Sequence, residues 1–126
     1  MRTATLIMLS GLIVQVAHGD EIRHAAFPNV MLGTWAETAE QCAAKDKTNY
    51  VIEPAKYHDG GGSCEVRWIV ETTGSSGINY AVHSLCTSAS LPEKTQIKDI
   101  IVRPLGPDRA AMGRSFEDLR DYQRCP

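Results

Sequence analysis

The residues of this chain with chemistry to offer are four cysteines, a few histidines and one His-Asp pair set before three glycines. Cys42, Cys64, Cys86 and Cys125 are spaced by 22, 22 and 39 residues. No C-x-x-C occurs, and no cysteine and histidine stand at zinc-ligand spacing, so the thiols do not read as a metal site. An even number of cysteines in an exported chain reads as a disulfide framework instead. His58-Asp59 lies beside Tyr57 and ahead of Gly60-Gly61-Gly62. Tyr57, His58 and Asp59 are the candidate binding residues, a rim at a polar turn. No third ligand accompanies the pair, so a metal there is not expected. His83 adjoins Ser84, but neighbours on a strand point to opposite faces and cannot form a nucleophile–base pair. Glu65 and Glu71 share a strand, yet six residues separate carboxylates by roughly 20 Å, beyond acid–base pairing distance. The triple glycine lacks the Lys-Ser/Thr ending of a phosphate loop. No catalytic residue, metal or cofactor is therefore expected, and the chain reads as a non-enzyme.

Residues 1–19 carry a compartment signal. Arg2 precedes the apolar run Leu6 to Val14, and Ala17-His18-Gly19 precedes Asp20. A charged start, an apolar stretch and a small-residue cleavage site read as a secretory signal peptide. The run is shorter than the about 20 apolar residues of a membrane span. Cleavage after Gly19 would leave residues 20–126, enough for a single modest core. That segment holds 12 Lys and Arg against 15 Asp and Glu. With no basic face, nucleic acid is excluded as a partner, and anionic membrane surfaces are disfavoured.

The elements that must position these side chains read as short strands. Residues 20–31 look like an N-terminal arm without clear period, and residues 32–126 like the disulfide-bonded domain. Leu32 to Ala36 opens the domain as a strand, residues 38–44 contain helix formers, and Tyr50 to Glu53 is a second strand. His58 to Ser63 reads as a turn, its glycines free to take φ > 0. Cys64 to Glu71 alternates, with Cys64, Val66, Trp68 and Val70 on the apolar face. Residues 73–77 form a hairpin loop. Ile78 to Cys86 returns with Ile78, Tyr80, Val82, Ser84 and Cys86 on one face.

A register placing 72 opposite 78 pairs Trp68 with Val82 and Cys64 with Cys86. Opposed residues have Cβ atoms about 4.5–5.5 Å apart, close to disulfide geometry. That favours Cys64–Cys86, leaving Cys42–Cys125. Thr95 to Val102 and residues 109–113 are further strands, residues 115–118 a single helical turn, and residues 121–125 an extended end. About six to eight short strands with turns between them imply an all-β fold, a small antiparallel barrel or sandwich.

Gly33-Thr34-Trp35 resembles the G-x-W motif that opens the first strand of calycin-type barrels, among them lipocalins and small periplasmic protease inhibitors. The resemblance implies a barrel with the Trp closing one end. The wider pattern of Gly33 to Ala36, Cys42, Cys64-Glu65, Cys86 and Tyr122 to Pro126 is similar to small exported proteins of alphaproteobacteria, rhizobial types especially. It implies a fold and a periplasmic or secreted location, and brings no catalytic residue. The leading expectation is an exported, non-enzymatic binding module whose partner is a protein or small ligand of the envelope or beyond. The alternatives are a protease or hydrolase inhibitor using the arm, a carrier of small lipophilic ligands, and an enzyme built on His58 and Asp59.

Overall fold

A computed structural model describes residues 21–126; the signal peptide read at residues 1–19 lies outside them. Nine strands follow in order: β1 (Glu21–His24), β2 (Gly33–Ala36), β3 (Tyr50–Ile52), β4 (Lys56–Asp59), β5 (Gly62–Gly74), β6 (Gly77–Ser88), β7 (Thr95–Gly106), β8 (Arg109–Gly113) and β9 (Arg120–Arg124). Each strand from β2 to β9 pairs antiparallel with the next, and β9 pairs with β2. The result is a closed eight-stranded barrel. Closure leaves no unpaired sheet edge around the ring. β1 is an extra strand, laid along the far half of β5 from Glu21↔Thr72 to His24↔Ile69.

The segment read as an arm is thus built into the barrel. Phe27 and Met31 are buried in the same core cluster as Trp35, Tyr57 and Ile100. Met31 ends a 3-10 turn, Asn29–Met31. The Phe27 amide donates to the Pro54 carbonyl at 2.8 Å. The arm's polar residues hid this, because only Phe27 and Met31 turn inward.

The one α-helix among the described residues, α1 (Ala39–Ala44), is set by a capping box: Thr38 Oγ1 accepts from the Gln41 amide, and Gln41 Oε1 accepts from the Thr38 amide, both at 3.2 Å. Reciprocal caps of this kind satisfy two amides that a helix start leaves unpaired. The helix presents Cys42 to Cys125, next to the end of β9. The second bridge joins Cys64 and Cys86, which face each other across β5 and β6. Both pairings are those expected, Cys64–Cys86 from the hairpin and Cys42–Cys125 as the pair left over.

The hairpin register departs from the simple alternation at one place. Cys64↔Cys86 and Val66↔Ser84 pair as expected, but a bulge at Arg67 then sets Trp68 opposite His83 and Ile69 opposite Val82. An inserted residue shifts every later side chain to the other face. Ile69 is therefore fully buried and Trp68 is 39% exposed, the reverse of the core role expected for Trp68. Glu71, expected outside, now follows Ile69's face and meets His24 Nε2 at 3.1 Å. The hairpin loop is also tighter than expected, with only Ser75 and Ser76 between the paired Gly74 and Gly77.

Candidate functional site

The two ends of the barrel differ. At one end the 3-10 turn folds beneath β2, and the Trp35 indole, 1% exposed, donates to the Met31 carbonyl at 3.0 Å. Arg124 from β9 covers that indole, with its guanidinium carbon 4.4 Å from a ring centroid. The same guanidinium donates to the carbonyls of Leu32 and Val30. This end is closed. Above it the interior is filled by Met31, Tyr57, Ile52, Ile69, Ile100, Met112, Val82 and Val102, each below 2% exposure or at it.

The other end is where the connections at residues 37–49, 60–61, 89–94 and 114–119 converge. A cleft of about 270 Å³ opens there, lined by Asp59, Cys64, Cys86, Leu91, Lys94, Gln96, Lys98 and Arg114 among others. Its floor is the Cys64–Cys86 bridge. Strand alternation explains the inward residues. Tyr57 faces Cys64 and Asp59 faces Gly62 in the β4–β5 ladder, so both point inward. Lys98 opposes the buried Ser84 in the β6–β7 ladder and shares its face. Asp59 and Lys98 consequently meet in an ion pair whose side chains are only 15% and 18% exposed.

Beneath the pair, Tyr57 Oη and Ser84 Oγ are hydrogen-bonded at 2.8 Å, and Ser84 Oγ also donates to the Lys98 carbonyl at 2.7 Å. Burial pushes the Tyr57 phenol up to about 12, partly offset by the Ser84 hydrogen bond. Tyr50, whose ring lies 6.4 Å from that of Tyr57, is also raised by burial.

The rim expected from Tyr57, His58 and Asp59 is therefore divided. Tyr57 is completely buried and takes no part in a rim. His58 points outward, 3.7 Å from Glu53 Oε2. Only Asp59 reaches the cleft. The turn signal at 58–63 concealed that the strand continues through Asp59, and a strand cannot present three successive residues to one side. Lys98 escaped the sequence reading, although alternation with Ile100 and Val102 places it on the inward face. Lys94 and Arg114 lie just beyond strand ends, where no periodic signal marks them.

The remaining candidates stay apart. His83 Nδ1 is 3.0 Å from Asp99 Oδ1 and its ring stacks on Trp68 at 4.9 Å, all on the outer surface, while Ser84 is buried on the inner face. Among the described residues no cysteine is free and no group of three His, Cys, Asp or Glu side chains could hold a metal. No helix among them is long and apolar enough to cross a membrane. Comparison of the chain with protein-family profiles, curated proteins and solved structures returns no match.

Proposed function

We propose that this protein is an exported, non-enzymatic binding module of the calycin type that engages its partner at the open mouth of the barrel. The observation that carries the reading is the asymmetry of the ends: one is sealed by Trp35 and Arg124, while at the other a cleft opens, bordered by the connections at 60–61, 89–94 and 114–119. Ligand pockets favour the mouths of β-barrels. The sealed end is also where the calycin resemblance would put Trp35. Two disulfides are compatible with an oxidising compartment. The carrier alternative draws no support from an interior filled by side chains. An inhibitor that inserts residues 20–31 draws none either, since β1 is paired to β5 and Phe27 is buried.

The test is capture of envelope and secreted components by oxidised protein purified from the exported fraction of cells expressing the full chain. Leu91, 55% exposed on the rim of the cleft, is changed to Asp; Trp68, on the outer wall, is changed to Ser as a control. The reading expects a chain beginning near Asp20, and capture abolished by Leu91→Asp but unaffected by Trp68→Ser. Retention of residues 1–19, or capture indifferent to Leu91, would overturn it.

A further inference from the structure

We infer that the mouth cleft binds a small oxyanion, a carboxylate or phosphate group carried on a small molecule whose apolar part rests against Leu91. The inference rests on the mouth being the binding face and adds the class of ligand. Charge is the first argument. The whole chain is acidic, with 15 Asp and Glu against 13 Lys and Arg. The cleft reverses this balance: its charged side chains are Lys94, Lys98 and Arg114 against Asp59 alone. Asp59 is already matched by Lys98. Lys94 and Arg114 form no ion pair among the described residues. The cleft thus keeps a cationic excess that no acidic side chain among the described residues pairs with.

The walls make that excess effective. The floor is the Cys64–Cys86 bridge, whose residues are 1% and 9% exposed, and the wholly buried Tyr57 lies below it. A concave site with low-dielectric walls and one sign of charge focuses its field on the opening. Arg114 acts on the interior as well as on solvent, since its charge favours ionisation of both buried phenols, Tyr50 and Tyr57, against the larger effect of burial.

Local backbone geometry brings the groups together. The Lys94 amide donates to the Leu91 carbonyl at 3.1 Å, a turn that sets a cation and an apolar side chain on one rim. Across the opening, Gly113 lets the chain at Asp118 approach so closely that a Cβ would lie 2.5 Å from the Asp118 carbonyl oxygen. Arg114 follows directly. At about 270 Å³ the cleft is below the roughly 300–1,000 Å³ of drug-sized ligand sites, so the ligand is small. A guanidinium forks onto two oxygens of a carboxylate or phosphate, and an ammonium adds a point charge.

The probes are inorganic phosphate and hexanoate, each titrated at constant ionic strength into isotope-labelled, fully oxidised protein and followed by amide chemical shifts. Saturable shifts confined to residues around 59–62, 86–98 and 112–115 are expected. Preference for hexanoate assigns the ligand as a carboxylate with an apolar stem; preference for phosphate assigns it as a phosphate. The double variant Lys94→Gln/Arg114→Gln should weaken binding at least about tenfold, the equivalent of about 1.4 kcal/mol. Arg67→Gln/Arg109→Gln removes the same charge outside the cleft and should leave affinity unchanged. No saturable binding of either anion, equal affinity in the cleft variant, or equal weakening in the control variant overturns the inference. Should anion binding fail while Leu91→Asp still abolishes capture, the mouth stands as the binding face and only the ligand class falls.

Discussion

The guanidinium of Arg124 lies over the indole of Trp35, its central carbon 4.4 Å from a ring centroid, and its nitrogens donate to the carbonyls of Val30, within the 3-10 turn, and Leu32, just after it. One side chain thereby joins the last strand, the first barrel strand and the turn that seals the barrel. A cation over a shielded indole contributes about 0.5–2 kcal/mol, and hydrogen bonds from a charged donor about 1.5–3 kcal/mol. Arg124→Ala is expected to destabilise by about 2–4 kcal/mol in urea unfolding. Arg124→Lys keeps the charge but loses the planar fork, so it should recover less than half of that loss. Full recovery by Lys would show that charge alone, not the fork and stacking, holds this end.

Gly62 and Gly61 are adjacent but should respond oppositely to the same change. A Cβ on Gly62 would sit 2.1 Å from the Thr87 carbonyl oxygen, whereas a Cβ on Gly61 would meet nothing within 4 Å. The clash is with backbone, so no rotamer relieves it, and β5 and β6 must separate beside the Cys64–Cys86 bridge. Gly62→Ala is expected to cost several kcal/mol, in the range reserved for specific core or backbone damage. Gly61→Ala should fall within about 0.5 kcal/mol of the parent. Thermal unfolding of the two variants side by side decides the matter; equal midpoints would contradict it.

The glycines also show what was legible in the sequence and what was not. They mark a turn, and a turn is there, but freedom to take positive φ is not the reason: the described glycines with positive φ are Gly33, Gly77 and Gly106. Close approach of a neighbouring strand is a long-range fact, and local pattern cannot carry it. The cysteine pairing came out as expected because two offsets cancel: the register placing 72 opposite 78 is one residue off at the loop, where Thr72 pairs with Asn79, and the bulge at Arg67 restores the count at Cys64↔Cys86. Trp68 was misread because nothing in Val66-Arg67-Trp68-Ile69 announces an inserted residue. Both Trp68 and Ile69 suit a core, and the register chooses between them. The cleft was the least legible part. Asp59, Lys94, Lys98 and Arg114 come from separate segments and meet only when the barrel closes.

The two disulfides differ in the chain they close and in their access to solvent. Cys42–Cys125 spans 83 residues and Cys64–Cys86 spans 22. Loop entropy alone assigns them about 4.5 and about 3.4 kcal/mol. Cys42 and Cys125 are partly exposed, while Cys64 and Cys86 lie in the core. Mild reduction at neutral pH is expected to open Cys42–Cys125 first, because a reductant's thiolate must reach the sulfur it attacks. Differential alkylation followed by peptide mass mapping reads the order. The singly reduced protein should keep its β-sheet circular dichroism but unfold at lower denaturant. First labelling at Cys64 and Cys86 would mean that the barrel mouth opens more readily than its packing implies.

Alkaline pH should unfold this barrel through its own tyrosines. An unfolded phenol ionises near pH 10. In the fold, burial raises Tyr57 to about 12, raises Tyr50, and also raises Tyr80 and Tyr122. The folded state thus holds protons that the unfolded state has released. Stability is intact below pH 10 and is lost as pH rises through the folded values, because the slope follows the difference in bound protons. Tyr57 alone contributes a loss on the order of 2–3 kcal/mol by pH 12. Tyr57→Phe should flatten the decline between pH 10 and 12 while Ser84 keeps its bond to the Lys98 carbonyl. Urea midpoints across that range, with tyrosinate absorbance followed in parallel, supply the check. Ionisation of all four phenols near pH 10 with no loss of structure would mean that the core around Tyr57 and Tyr50 admits water.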